Sequence, residues 1–167
     1  ATLTVNGKYN RYDNITMEQT AGYQYENIAL SIASLDILNN YYPINLNTNQ
    51  IQAGITNWKF KGRFEIIQND PLVIMDGAHN RHKMAALVKS FKKKYPGKKI
   101  KCIMGVLSTK DAVGMIEELT PIVKSWSVTQ PFVFGKPSTT PTELASSVLK
   151  SSPKAVLDQY DTVHDAI

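Results

Sequence analysis

The sequence predicts an α/β protein built on an open, mostly parallel sheet with helices on both faces. Three observations predict it. From Gly62 onward, short apolar runs alternate with segments of helical period, joined by short links. Two of those runs, residues 72–75 (Leu-Val-Ile-Met) and residues 100–107, are apolar enough to be buried strands. The first stops at Asp76-Gly77-Ala78-His79-Asn80, which sets polar groups at the carboxyl end of a strand, where open α/β sheets bind ligands.

The elements follow in order. Leu3-Thr4-Val5 alternates like a strand, and Asn6-Gly7 is a hairpin-type turn signal. The chain starts without a Met or a leader and reads as a fragment. Residues 24–38 form the first clear helix. Tyr25, Ile28, Ala29, Ile32, Ala33, Leu35 and Leu38 recur at three- and four-residue spacing and make one apolar face. Residues 41–49 read as a polar loop and residues 51–55 as a short helix. Residues 56–61 read as a linker, which places a domain boundary at 57/58. Strands follow at 64–67 and 72–75. A helix over 79–94 carries Met84, Leu87, Val88 and Phe91, and Tyr95-Pro96-Gly97 stops it. A buried strand at 100–107 precedes a helix at 109–120, with Asp111 placed to favour its N-terminus and Val113, Ile116 and Leu119 as its stripe. A strand at 123–129, a helix at 139–149 opened by Thr140-Pro141-Thr142-Glu143, a short strand at 155–157 and a helix from Thr162 complete the chain. No internal repeat or low-complexity tract occurs.

With 167 residues, 43% of them apolar and 20% charged, the chain is globular and not disordered. Its single cysteine, Cys102, excludes an internal disulfide and reads as a buried core thiol in a reducing compartment. No apolar stretch is long enough for a membrane helix. The net charge of +5 comes largely from Lys92-Lys93-Lys94 and Lys98-Lys99-Lys101. No aromatics interleave these lysines, so they read as a solvated helix end and its turn, where cations are favoured, and not as a nucleic-acid patch.

The chemistry is best argued around residues 58–81. Asp76 could hold a sugar hydroxyl, a magnesium-bound water or a cationic group, although Asp-Gly is also a common turn pair. His79, expected on the first turn of a helix, could donate to a carboxylate or phosphate. Arg63 adds a planar fork suited to phosphate. Arg, Asp and His flanking two adjacent strands suggest an anion and nucleotide site; no nucleophile–base pair is evident. His79 and His82 lack a Cys or second carboxylate to join them, so no metal site is expected. Neither G-x-x-x-x-G-K-[ST] nor G-x-G-x-x-G occurs, so the chain has no phosphate-cradling loop of its own.

Gly62-Arg63-Phe64-Glu65, Asp76-Gly77-Ala78-His79-Asn80, Gly105-Val106-Leu107 and Lys110-Asp111 resemble the C-terminal part of folylpolyglutamate synthase and dihydrofolate synthase, within the Mur ligase superfamily. Gln24-Tyr25-Glu26-Asn27, followed by Ala29 and Ala33, resembles the last segment of that family's central ATPase domain. The resemblance implies a Rossmann-like glutamate-ligase domain over 58–167, preceded by the end of an ATP-binding domain over 1–57. It implies an ATP-dependent amide ligase with ATP, L-glutamate and folate or dihydropteroate as partners, with no nucleic acid or membrane, monomeric and cytoplasmic. Asn27, Arg63 and Asp76 would contact ATP, Arg63 on the phosphates and Asp76 nearer the ribose or base. His79 would be the catalytic residue, positioning the phosphates or the incoming glutamate; Lys110 and Asp111 would belong to the same substrate-binding wall.

The resemblance also implies that the P-loop, most ligands of Mg2+ and most of the folate site lie outside this chain. The family's last strand and helix are expected beyond Ile167, and the chain alone is expected to be inactive. The family usually has Pro after Asp-Gly-Ala-His-Asn, whereas this chain has Arg81, so the helix start is expected to differ slightly. Two other readings remain: another Mur-type amide ligase, or a basic α/β binding module with no enzyme activity.

Overall fold

The computed structural model describes residues 2–17, 21–42, 44–58 and 60–167. The chain divides into two compact units, Ala1–Gly77 and Ala78–Ile167, and each has its own architecture.

In the first unit β1 (Thr2–Asn6) and β2 (Arg11–Thr16) form an antiparallel hairpin, as Asn6-Gly7 predicts. Two helices follow, α1 (Tyr23–Tyr41) and α2 (Thr48–Asn57). Ile15, Ile28, Ile32 and Ile51 meet with Val5 and Tyr12 in one apolar cluster. Helix α1 is longer than the expected 24–38, and its stripe is shifted. Leu38 is 41% exposed, whereas Asp36 is fully buried. The Asp36 carboxylate accepts hydrogen bonds from the Tyr9 N–H (2.8 Å), Asn10 Nδ2 (2.8 Å) and the Tyr12 hydroxyl (3.0 Å). Burial pushes its pKa up, but these hydrogen bonds outweigh burial and hold it below the usual carboxylate value. A Cβ on Gly7 would fall 2.5 Å from Asp36 Oδ2, so only glycine lets the hairpin loop close on this carboxylate.

The expected loop at 41–49 and linker at 56–61 are both shortened by α2. The reason is a capping box: Asn47 accepts from the Gln50 N–H while Gln50 Oε1 accepts from the Asn47 N–H. Asn-x-x-Gln was the signal for it.

Strands β3 (Glu65–Asn69) and β4 (Leu72–Met75) pair with each other and, among the described residues, with no other strand. They are antiparallel, with Asn69 opposite Leu72. Only two residues link them, and a parallel pair needs a crossover of a dozen or more, so the link forces a hairpin. Nor is β4 buried: Leu72, Val73 and Met75 are 43%, 37% and 45% exposed. The expectation of a buried strand within the parallel sheet is corrected on both counts.

The second unit carries that sheet. Strands β5 (Ile100–Met104), β6 (Val123–Thr129) and β7 (Val156–Tyr160) lie in the order β5-β6-β7, both pairs parallel. Helices α4 (Ala112–Leu119) and α5 (Pro141–Ser151) make the two crossovers. Helix α3 (Arg81–Lys94) packs on α4, α4 on α5, and α5 and the short α6 (Val163–Ala166) on β6 and β7. Successive residues of a strand face opposite sides, and Trp126, Ser127, Val128 and Thr129 are all at most 2% exposed, so the central strand is covered on both faces. Cys102 is half-buried on β5, and desolvation pushes its thiol up to about 12.

Every helix of this unit starts on a side-chain cap: Asn80, Asp111, Thr140 and Thr162 each accept from a backbone N–H of the first turn. The Asn80 cap moves the start of α3 from the expected 79 to Arg81.

Candidate functional site

The residues 62–65, Gly-Arg-Phe-Glu, form a turn with a difficult backbone. Gly62 and Phe64 both have positive φ, 67° and 50°. The left-handed region costs a non-glycine residue roughly 1–2 kcal/mol, so Phe64 needs compensation. It is 3% exposed, and its N–H donates to Asp76 Oδ2 at 2.7 Å. The same oxygen accepts from the Tyr23 hydroxyl at 2.9 Å. Burial, and next the hydrogen bond to this carboxylate, raise the Tyr23 pKa strongly, so the phenol stays protonated as the donor. At the head of the turn the Gly62 N–H donates to Glu65 Oε2 at 2.7 Å, and the Gly77 N–H donates to Gly62 O at 2.8 Å. Asp76 and Glu65 thus occupy the Phe64 and Gly62 amides, leaving the Arg63 guanidinium as the turn's charged group for an anion.

Arg63 lines a cavity of about 610 Å3 between α1, α2 and the segment leading to the turn. Ile28, Ile32, Leu35, Ile51 and Ile55 supply an apolar wall, with Trp58 and Phe60 beside them. Those two rings are 5.2 Å apart, and the guanidinium carbon lies 5.7 Å from the Phe60 ring centre, in cation–π range. Asn27 lines the same cavity, its Nδ2 bonded to Gln24 Oε1 at 2.9 Å. An apolar hollow with a few convergent polar groups is the usual form of a small-molecule site. Here the polar groups are the amides of Gln24, Asn27 and Gln50, the Ser31 hydroxyl and a planar cation beside aromatic rings, which suits a flat base carrying an anionic tail.

The structure therefore brings Asn27 and Arg63 to one cavity and ties Asp76 to the turn that carries Arg63. Asp76 itself is not among the lining residues. Tyr23 was missed. Nothing local marks it, because its partner is 53 residues away.

The other expected site residues belong to the second unit. His79 is exposed, with Nε2 3.1 Å from Lys83 Nζ. It precedes the Asn80 cap and so lies outside the first turn of α3, contrary to expectation. Lys110 is exposed, its N–H donating to Leu107 O, and Asp111 caps α4 through the Gly114 N–H at 2.8 Å. Arg81, in place of the expected Pro, stands at the first position of α3 and pairs with Glu117 and Glu118 of α4, both at 3.1 Å. Among the described residues no group of three His, Cys, Asp or Glu side chains could hold a metal ion, and none of the helices is long and apolar enough to cross a membrane.

The sequence profile of the family "Mur ligase, glutamate ligase domain" matches residues 62–167. The chain belongs to this family. The curated dihydrofolate synthase/folylpolyglutamate synthase of Bacillus subtilis is 28% identical over 111 residues, 66% of this chain and 26% of that protein. Folylpolyglutamate synthase of Mycobacterium tuberculosis, solved with ADP and AMPPCP, superposes with a TM-score of 0.87 at 23% identity, covering 99% of this chain and 36% of that one. A bifunctional folylpolyglutamate synthase/dihydrofolate synthase solved with Mn, AMPPNP and L-glutamate gives 0.71 at 23% identity, over 95% of this chain and 35% of its own. The chain thus spans about a quarter of the curated relative and about a third of the solved ones. The fold is that of these structures: the three-stranded parallel sheet flanked by helices, within an α/β protein.

Proposed function

We propose that this Mur ligase chain works as the C-terminal part of an ATP-dependent ligase that adds L-glutamate to a folate or to dihydropteroate. The observation that carries the reading is the cavity holding Arg63, Asn27 and the Trp58–Phe60 pair, set beside a turn that Asp76 clamps. Arg63 engages the phosphates of ATP, Asn27 an edge of the nucleotide, and Asp76 fixes the turn and serves the ribose side. His79 positions the phosphates or the incoming glutamate, and Lys110 and Asp111 belong to the substrate-binding wall. Residues 1–57 close the ATP-binding domain and residues 58–167 form the glutamate-ligase domain; the profile's start at Gly62 supports this division. The protein acts as a cytoplasmic monomer.

The chemistry proceeds in two balanced steps. A carboxylate oxygen of the acceptor attacks the γ-phosphorus and the bond to ADP breaks, leaving an acyl phosphate. The amine of L-glutamate then attacks the acyl carbon, phosphate leaves with the electron pair of the broken C–O bond, and the amine gives up a proton as the amide forms. An arginine at the γ-phosphate offsets the charge that develops there. Mg2+ accompanies ATP in this reading; the described residues offer it no cluster of ligands, and neither step above is assigned to it.

The test is ADP release in a full-length protein that carries this chain, measured with and without folate and L-glutamate, beside calorimetric titration with ATP. Arg63→Ala should weaken ATP by roughly 10- to 100-fold, the size of a lost hydrogen bond to a charged group. Turnover that needs both folate and glutamate and collapses in Arg63→Ala supports the assignment. Turnover indifferent to folate would move the acceptor to another carboxylic acid. Unchanged ATP affinity in Arg63→Ala would remove the site.

A further inference from the structure

Gly77 follows an aspartate, where a turn-forming glycine is the ordinary explanation, yet its backbone does not ask for one. Gly62, Gly97 and Gly135 have positive φ, and Gly77 is not in that group. What sets Gly77 apart is the group lying over it. A Cβ built there would fall 2.5 Å from Arg63 Nη1, with Gly62 O at 3.4 Å and Arg63 Cζ at 3.8 Å. The first distance is well inside van der Waals contact and the other two are ordinary. The guanidinium therefore occupies the space that a side chain at position 77 would fill.

The same two residues share a hydrogen-bond acceptor. Gly62 O accepts from Arg63 Nη1 at 3.1 Å and from the Gly77 N–H at 2.8 Å. The guanidinium also lies in range of the Phe60 ring, and both residues line the cavity. One carbonyl, one ring and one missing methyl group thus fix the end of a long side chain. An arginine already fixed loses less rotamer freedom when an anion arrives.

We propose that Gly77 is a positioning residue for Arg63: it seats the guanidinium at the cavity, and this seat is why glycine stands after Asp76. The inference rests on Arg63 being the phosphate-binding group. Gly77→Ala is a clean probe. Its φ lies outside the left-handed region that strains alanine, and the atom that must give is the far end of a flexible side chain, so the variant folds with its guanidinium displaced.

The experiment compares a full-length protein that carries this chain with its Gly77→Ala, Arg63→Ala and double variants. Mg–ATP affinity is read by calorimetry, folding by urea unfolding, and the Arg63 Nε–H resonance by NMR. Gly77→Ala should keep the urea midpoint, shift the Arg63 resonance and weaken ATP about tenfold, the size of one charge-assisted hydrogen bond lost. The double variant should bind no worse than Arg63→Ala alone, because coupled residues are not additive. Where Arg63→Ala weakens ATP, wild-type affinity in Gly77→Ala, or losses that add in full, would overturn the proposal. So would an unmoved Arg63 resonance, whatever the ATP result. A shifted resonance with equal ATP affinity in wild type and Arg63→Ala would keep the seat and overturn the phosphate reading instead.

Discussion

The two units are stabilised in different ways. The second is locally consistent: its helices open on side-chain caps, its central strand is covered on both faces, and Ile116, Val128, Leu144 and Val148 are fully buried. The first unit contains all three non-glycine residues with positive φ among the described residues, Asn14, Asn45 and Phe64. It also contains the buried carboxylate of Asp36 and the clamp on Asp76. Strained backbone and buried charge tend to persist where a site needs them held. The Phe64 turn fits that rule, since it aims Arg63 at the cavity. Asp36, on α1, accepts from Tyr9, Asn10 and Tyr12 and so braces the β1–β2 hairpin.

The largest effect expected from this contrast comes from cutting equivalent leucines in the two units. Leu144→Ala should cost about 2–5 kcal/mol, because it leaves a cavity in a fully buried site. Leu38→Ala, on the helix face that the heptad-like spacing would have buried, should cost far less, since that side is 41% exposed. Urea unfolding of both variants checks this, and equal losses would mean that the Leu38 face is covered in solution.

A smaller effect is expected at Asp36, and pH separates it from simple packing. The folded-state pKa is lowered from the ordinary 3.8. Its contribution is therefore complete above that value and is lost as pH falls through the depressed folded pKa. Melting curves taken from neutral pH down into that range should show wild type losing stability. Asp36→Asn should start lower at neutral pH and lack this component. Parallel curves for the two proteins would show that the carboxylate is not the group being titrated.

The smallest effect is expected at Arg81. Its ion pairs with Glu117 and Glu118 are exposed at the arginine end, 58% for the side chain, and such pairs contribute little. Arg81→Pro should leave the midpoint nearly unchanged, because proline suits the first helical position. A large loss, suppressed by salt in the wild type, would instead show that these pairs hold α3 to α4.

Much of this was legible in the chain. Thr140-Pro141-Thr142-Glu143 and Asp111 announce helix starts because a cap is made by residues two or three apart. The strand–helix alternation from residue 100 onward announces parallel strands because short links between strand and helix permit little else. Arg63 and Asp76 could be picked out as charged groups at the ends of apolar runs. The hairpin of β3 and β4 was legible in principle, from the two residues that link them, and was obscured by the apolar run in β4.

Other features required the tertiary structure. The helical period marks which residues share a face, but burial depends on what packs against that face, so Leu38, expected inside, is exposed while Asp36 is buried. Asp76 meets a phenol 53 residues away and an amide 12 residues away, separations at which no short-range rule operates. Gly77 carries no turn signature in its own backbone; its meaning lies in the guanidinium resting against it. By itself the sequence determined the elements and the charged groups available, since both follow from neighbours along the chain. Which groups meet, and which one a missing side chain makes room for, was decided only by packing in three dimensions.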